Sequence, residues 1–276
     1  MADVVFYTQN SKLFSASISA STGTSSSNFP VSNLLNTRRL SLAKPGTISG
    51  GSWAFDIDLG SGVTDVFNKF ILVNNSLYTN DATHNVTMEV IADDNSGFAS
   101  PDTALAAFTV PSTAEPIWFK VAGVLLGTPY RYWRFTFANL DDTDYYIGCL
   151  FLLSSDSSNE HAPTVSPNLG APMLIDRRGI ITNENRAGTI SAFKTQRKRR
   201  VWLFRYETIS ATDRDTLVDF EDAIDGHRVP FVWTDGTSYF YGRLARDSFS
   251  VEPVAGGLWG STEGLYNVSF QVIEEA

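Results

Sequence analysis

The stretch Trp53–Val73 reads W-A-F-D-I-D-L-G-S-G-V-T-D-V-F-N-K-F-I-L-V. In its first half Trp53, Phe55, Ile57 and Leu59 alternate with Ala54, Asp56 and Asp58, a period of two that gives one apolar and one polar face. That pattern predicts a half-buried strand ended by the turn Gly60-Ser61-Gly62. The second half, 67–73, is a denser apolar run (Phe70, Ile71, Leu72, Val73), as in a strand covered on both faces. A strand open on one side, a glycine turn and a core strand predict the middle of a β-sandwich.

The pattern continues on both sides. Val4–Thr8 predicts a short strand, and Ser15–Ser27 is a Ser/Thr-rich stretch that fits either a loop or a meandering strand. Phe29–Asn36 (F-P-V-S-N-L-L-N) predicts an ordered turn that tucks Phe29, Val31 and Leu34 inward. Downstream, strands are expected over 85–92, 104–110, 117–121, 130–137 and 145–153, with turn signals such as Asp93-Asp94-Asn95-Ser96-Gly97 between them. In Y-R-Y-W-R-F-T-F, residues Tyr130, Tyr132, Arg134 and Thr136 are expected on one face and Arg131, Trp133, Phe135 and Phe137 on the other. Roughly eight strands at regular spacing without a helix is the pattern of a sandwich or jelly roll.

The totals agree. The chain has 276 residues, enough for two domains, and its 13% aromatic content with frequent Gly and Ser favours strands. Nothing approaches 18 consecutive apolar residues, so no membrane insertion is expected. The opening M-A-D-V-V-F-Y has no basic segment followed by a long apolar one, so no signal peptide is expected and maturation in a cytoplasm is inferred. Cys149, the one cysteine, sits in Y-Y-I-G-C-L-F-L-L and is expected as a buried small hydrophobe. The glycosylation triplets at Asn74, Asn85 and Asn267 are taken as chance. Net charge is −9; residues 1–160 carry 8 basic against 15 acidic side chains, which argues against nucleic acid as a partner.

Residues 154–172 are rich in Ser, Asn and Pro and lose apolar periodicity, which predicts a linker. The expected domains are therefore 1–155, a linker 156–172, and 173–276. In the last of these, a strand pair is expected around 183–188, followed by the basic run Lys194–Arg200. A strand V-W-L-F-R-Y-E then leads to the chain's one good helix. Ser210 is its expected N-cap, with Asp213 three residues on. Leu217, Phe220 and Ile224 form its apolar face and Gly226 is its stop. Strands are expected again over 229–233, 238–244, 247–253 and 265–274. The fold class is mainly β: an N-terminal jelly-roll sandwich, then an α+β domain with one helix packed on an antiparallel sheet or barrel.

Two resemblances follow from these residues. N-F-P-V-S-N-L-L-N, W-A-F-D-I-D-L-G-S, F-N-K-F-I-L-V-N-N-S, Y-R-Y-W-R-F-T-F and I-G-C-L-F-L-L together resemble the galactose-binding-like (discoidin-type) jelly roll over about 25–155. That resemblance implies a central D-L-G strand paired with the aromatic-Arg strand. The paired cysteines of the secreted members are missing here. R-V-W-L-F-R-Y-E, I-S-A-T-D-R-D-T-L-V-D-F-E-D-A-I-D-G-H and V-P-F-V-W-T-D-G are similar to minor tail proteins of long-tailed bacteriophages, in which a strand–helix–strand unit with a returning P-F-x-W segment recurs.

Catalytic motifs are missing from the sequence. His84, His161 and His227 show no zinc spacing, and there is no G-x-S-x-G, P-loop or dinucleotide fingerprint. Asp56 and Asp58 have the spacing of a carboxylate pair, but the same spacing is the solvent face of a half-buried strand. Asp93–Gly97 is oxygen-rich yet lacks the spacing and closing Glu of an EF-hand loop. No enzyme, cofactor or metal is expected. The first reading is a structural virion protein, a minor or distal tail protein assembled in the host cytoplasm, that packs on other phage tail proteins as a homo-oligomer. In that reading Lys194, Arg197, Lys198, Arg199 and Arg200 meet an acidic neighbouring subunit. The alternative is a host-adsorption protein that binds a host surface glycan through sandwich loops carrying Arg38, Arg39, Asn75, Tyr78 and Asp94.

Overall fold

The computed structural model describes residues 4–36, 41–77, 86–110, 117–121, 128–154, 159–168, 174–176, 180–184, 190–194, 199–255 and 264–275. The chain divides into two compact units, one formed by Tyr7–Glu160 and the other by Met1–Phe6 with His161–Ala276. Among the described residues no helix is long and apolar enough to cross a membrane.

The first unit is the sandwich. One sheet holds, in spatial order, Ser17–Thr22, Trp53–Asp58, Tyr132–Ala138, Thr87–Asp93 and Asp102–Thr109, all antiparallel neighbours. The other holds Ile147–Ser154, Phe67–Asn75 and Ile117–Val121. The opening stretch behaves as its periodicity requires. Trp53, Phe55 and Ile57 are buried, Asp56 and Asp58 are only partly so, and both faces of Phe70–Val73 are closed. Opposed residues share the core: the Phe55 and Phe135 rings stack at 5.3 Å, and Phe70 meets Phe135 edge-on at 5.5 Å from the other sheet. The pairing of Trp53–Asp58 with Tyr132–Ala138 agrees with what the jelly-roll resemblance implies. One residue departs from the expected alternation. Arg131 precedes the strand, and its guanidinium turns to the polar face to meet Asp58.

The two ends of this unit are stitched together. The Thr8 amide donates to the Asn159 carbonyl at 3.0 Å, while the Asn10 amide group donates to Asn159 Oδ1 at 2.9 Å and to Asp65 at 3.0 Å. Ser154 donates to the same Asn159 oxygen at 3.0 Å. Buried amides and hydroxyls of this kind keep their place because they are paired.

The second unit is built on an eight-stranded sheet. Glu160–His161, Val5–Tyr7, Phe231–Thr234, Tyr239–Leu244, Leu265–Glu274, Arg199–Ser210 and Leu174–Asp176 follow one another across it, and Ser250–Ala255 also pairs with Leu265–Glu274. The helix runs Ala211–Ala223, and the Asp213 amide donates to the Ser210 hydroxyl at 3.2 Å as the capping pattern requires. Asp213 in turn accepts from the Thr164 amide at 2.6 Å. Leu217, Phe220 and Ile224 enter a core with Phe204, Phe231, Tyr266 and Phe270. The hairpin expected around 183–188 is present as Ile180–Glu184 against Ile190–Lys194.

Two boundaries differ from the sequence reading. Residues 1–6 belong to the second unit, so the sandwich is inserted into that unit after its first strand. Phe6 shows why: it is fully buried, stacks on Phe220 at 4.6 Å and touches the rings of Phe204, Phe231 and Phe270. His161, expected in a linker, is 4% exposed and packs on Phe220 at 5.7 Å. Removing Phe6 should therefore weaken a unit whose other segment begins only at His161. We expect Phe6→Ala to cost about 3–5 kcal/mol in denaturant unfolding of the second unit, with the sandwich transition unmoved. Equal loss in both transitions would contradict this assignment.

Candidate functional site

The carboxylates of the opening strand are occupied. Arg134 grips Asp56 through Nε and Nη2, both at 2.7 Å, and Arg131 grips Asp58 in the same way at 2.6 and 2.8 Å. Each guanidinium also lies on a ring, Arg134 over Phe98 at 4.2 Å and Arg131 over Tyr132 at 4.7 Å. The Arg131 hydrogen bonds hold the Asp58 carboxyl below the usual carboxylate range; partial burial opposes this and the Gly60 amide adds to it. A carboxylate held ionised is a poor general acid. Asp56 and Asp58 form the solvent-side ladder of a strand, two bidentate pairs wide.

The oxygen-rich loop is likewise turned inward on its own backbone. Asp93 accepts from the amides of Asn95 at 3.0 Å and Ser100 at 3.2 Å, and Asn95 accepts from Gly97 at 2.8 Å. These are turn caps. Among the described residues no group of three His, Cys, Asp or Glu is placed to hold a metal ion. Burial pushes the His161 imidazole below its ordinary value. His227 is exposed beyond the helix, and His84 lies outside the described residues. Cys149 is buried.

Of the proposed glycan residues, Arg38, Arg39 and Tyr78 lie outside the described residues. The structure separates the other two. Phe67 touches Trp133 at 6.0 Å, and Trp133 adjoins Tyr132, which pairs with Asp93. Asn75 is eight residues further along the strand from Phe67, a rise of about 26 Å. Asp94 and Asn75 therefore sit at opposite ends of the sandwich and share no site. Asn75 is also 4% exposed, with its Oδ1 accepting from the Leu77 amide at 3.2 Å, the role of a turn cap. Around Asp94 the structure gathers residues that the loop pattern did not single out. Asp58 with Arg131, Tyr132, and Tyr130 hydrogen-bonded to Asp102 all stand at that end. The bond to Asp102, with some burial, raises the Tyr130 phenol above its usual value and keeps it protonated.

Of the proposed interface residues, Arg197 and Lys198 lie outside the described residues. Lys194 ends the strand Ile190–Lys194, and Arg199 opens Arg199–Ser210 opposite Asp176. Arg200 is committed within its own unit. Its Nη2 donates to Glu274 at 2.8 Å, its backbone amide donates to the same carboxylate, and its guanidinium lies over the rings of Trp202 and Phe240. Beside it is a feature that sequence reading missed, a cavity of about 180 Å³ lined by Val4, Pro167, Asn168, Trp202, Leu203, Phe204, Trp233, Asp235 and Phe240. The hydrophobic pattern marks Trp202 and Trp233 only as strand residues, and nothing in it shows that their rings leave a gap.

No protein-family model matches the chain, and no curated protein matches it. Solved structures do resemble it in part. A fucose-binding module of Streptococcus pneumoniae is 12% identical, covering 53% of this chain and 99% of its own, at a TM-score of 0.35. A Clostridium perfringens module in complex with GalNAc-β-1,3-galactose is 10% identical over 52% of this chain and 98% of its own, at 0.38. A family 32 module of C. perfringens NanJ in complex with galactose is 13% identical over 54% and 98%, at 0.35. At these identities and scores the matched proteins assign no role to any residue here.

The Asp58 pair makes a pH prediction. Its stabilising effect is complete above the unfolded Asp value, about 3.9, and is lost as pH falls through the lower folded value. The sandwich should therefore lose melting temperature progressively below about pH 4, and Asp58→Asn should flatten that slope while lowering the plateau at neutral pH. An unchanged slope in the variant would show that other carboxylates carry the acid response.

Proposed function

We propose that this protein is a carbohydrate-binding host-adsorption protein of a bacteriophage tail. The unit formed by Met1–Phe6 and His161–Ala276 is the carrier that packs on other tail proteins, and Tyr7–Glu160 is the recognition module. The supporting observation is the insertion itself. The sandwich enters and leaves at adjacent points, tied by the Thr8–Asn159 bond, and has a separate core of its own. A module joined in this way can be added without opening the carrier's sheet, since inserted domains are tolerated where their termini lie close together. The strand–helix–strand order of the carrier, Arg199–Ser210, Ala211–Ala223 and Phe231–Thr234, agrees with the tail-protein resemblance, and fold-level likeness of this kind supports function only by association.

The glycan face we assign is the end of the sandwich that carries Asp94, Tyr130, Arg131 and Tyr132. It offers two phenols and a planar guanidinium that Asp58 holds 4.7 Å from the centroid of the Tyr132 ring. Rigid, amphipathic groups lose little entropy on binding a hydroxyl-rich ring. The protein acts by binding rather than turnover, a reading supported by the paired state of Asp56 and Asp58 and the burial of His161. A purely structural role, a minor or distal tail protein, is favoured by a different observation: the Asp56–Arg134 and Asp58–Arg131 ladder is charge-neutral and could lie flat against a neighbouring subunit.

The full chain on a glycan array, with native mass spectrometry alongside, tests the proposal. We expect selective binding of one glycan class, lost in Tyr132→Ala and Arg131→Ala with melting of the second unit unchanged. A closed oligomer that binds no glycan would overturn adsorption in favour of the structural role.

A further inference from the structure

The glycan face carries more acid than base, and the strand register puts it there. Thr87–Asp93 and Asp102–Thr109 pair with Ala92 opposite Asp102, so the connection between them brings Asp94 and Asp102 to the same end of the sheet. Asp93 is buried and spends its carboxylate on the amides of Asn95 and Ser100, whereas Asp94 and Asp102 are exposed. Tyr130, just before the strand Tyr132–Ala138, donates its hydroxyl proton to Asp102, and Asp94 is near enough for its charge to act on the same phenol. A neutral donor leaves the charge of Asp102 uncancelled. Tyr130 therefore offers a ligand its ring, with two carboxylates beside it.

The guanidinium of this face does not balance them. Arg131 gives Nε and Nη2 to Asp58 at 2.6 and 2.8 Å, so its charge already has a carboxylate, and Arg134 is bound to Asp56 in the same way. Lys12 reaches the Gly62 carbonyl at 3.4 Å, beside the strands at the opposite edge of the sheet from Asp102–Thr109. Among the described residues no three acidic or imidazole groups are placed to hold a metal ion, so the carboxylates act separately and through space. An acidic ligand would exchange its water for a surface of three carboxylates, Asp58, Asp94 and Asp102, and one guanidinium. Charges closer than the screening distance of about 8 Å still repel. One unit charge at 4 Å in water changes binding by about fivefold. We propose that Asp94 and Asp102 set the specificity of this face: they admit sugars without an acidic group and reject those that bear a carboxylate, sulfate or phosphate. This rests on the glycan reading of the sandwich and gives it a ligand class.

The test takes the neutral glycan that the full chain binds best on an array and compares two forms of it, oxidised at C6 to the uronate and converted onward to the uncharged uronamide. The two differ in charge and little in shape. We expect the uronate to bind roughly tenfold more weakly than the uronamide, as two nearby charges allow. In the double variant Asp94→Asn with Asp102→Asn, which keeps an oxygen to accept the Tyr130 proton, the uronate should gain affinity until the gap nearly closes. A gain of binding cannot come from a misfolded protein. The unaltered chain supplies a second check: in 1 M salt, where screening shortens to about 3 Å, the same gap should narrow. Equal affinity of the two forms for the unaltered chain would overturn the inference and leave the glycan reading standing. So would a gap that survives both the double variant and high salt, since rejection would then come from shape. An array on which no glycan binds would overturn the glycan reading itself, and this inference with it.

Discussion

The sandwich depends on one strand pairing, Trp53–Asp58 against Tyr132–Ala138, in the register that sets Phe55 opposite Phe135. Side chains alternate along a strand, so this single register decides two things together. On the inner face it stacks Phe55 on Phe135 and Trp53 on Phe137, and offers Phe135 to Phe70 of the second sheet. On the outer face it sets Arg134 opposite Asp56, so that the pair closes across the strands as a bidentate bond. A slip of one residue would drive Asp56 and Arg134 into the aromatic layer and expose the phenylalanines. Hydrophobic burial and charge pairing thus select the same register, which is the agreement between levels expected of a sequence that specifies one fold.

The second unit is organised by a different constraint, a core completed by a segment distant in sequence. Phe6 touches four phenylalanines there, and their rings in turn form the layer between the helix and the sheet. Such a unit cannot close until its first strand has arrived, whatever the inserted sandwich does in the meantime. The bonds from Thr8 and Asn10 to Asn159 then have a physical purpose. They bring the two ends of the insertion together, which shortens the effective loop that the second unit must close and lowers its entropy cost.

These same features explain what could be read from the sequence. Period-two alternation marked the strands that bury one face, because such burial leaves a local trace; the final strand, Leu265–Glu274, has its even-numbered residues from Tyr266 to Val272 buried as the pattern required. The helix was legible because its cap and its apolar face are local too. Membership was not. Val4, Phe6 and Tyr7 read as a strand in any sheet, and only the identity of the partners, some two hundred residues away, settles which one. The candidate site failed in part for the same reason. Asn75 and Asp94 both end strands next to polar loops, but the number of strand reversals between them, not their composition, decides which end of the sandwich each occupies. Arg131 shows the limit at the scale of one residue, since the strand starts after it and alternation no longer governs its side chain.

The distribution of charge constrains what the protein recognises. Arg131, Arg134, Arg200, Arg228 and Arg243 each face a carboxylate of their own unit, so these cations have little field left to offer a distant partner. The excess is acidic, and at physiological ionic strength it is screened beyond about 8 Å. Long-range attraction for polyanions is therefore missing from the described surface, and binding has to be won at contact. Contact binding without ion pairing favours partners with apolar faces and neutral hydroxyls, because these take up aromatic surface without the desolvation cost of an unpaired charge. Tyr130 and Tyr132 at the end of the sandwich combine partial exposure with a fixed polar neighbour, Asp102 for one and Arg131 for the other, and so suit that neutral chemistry.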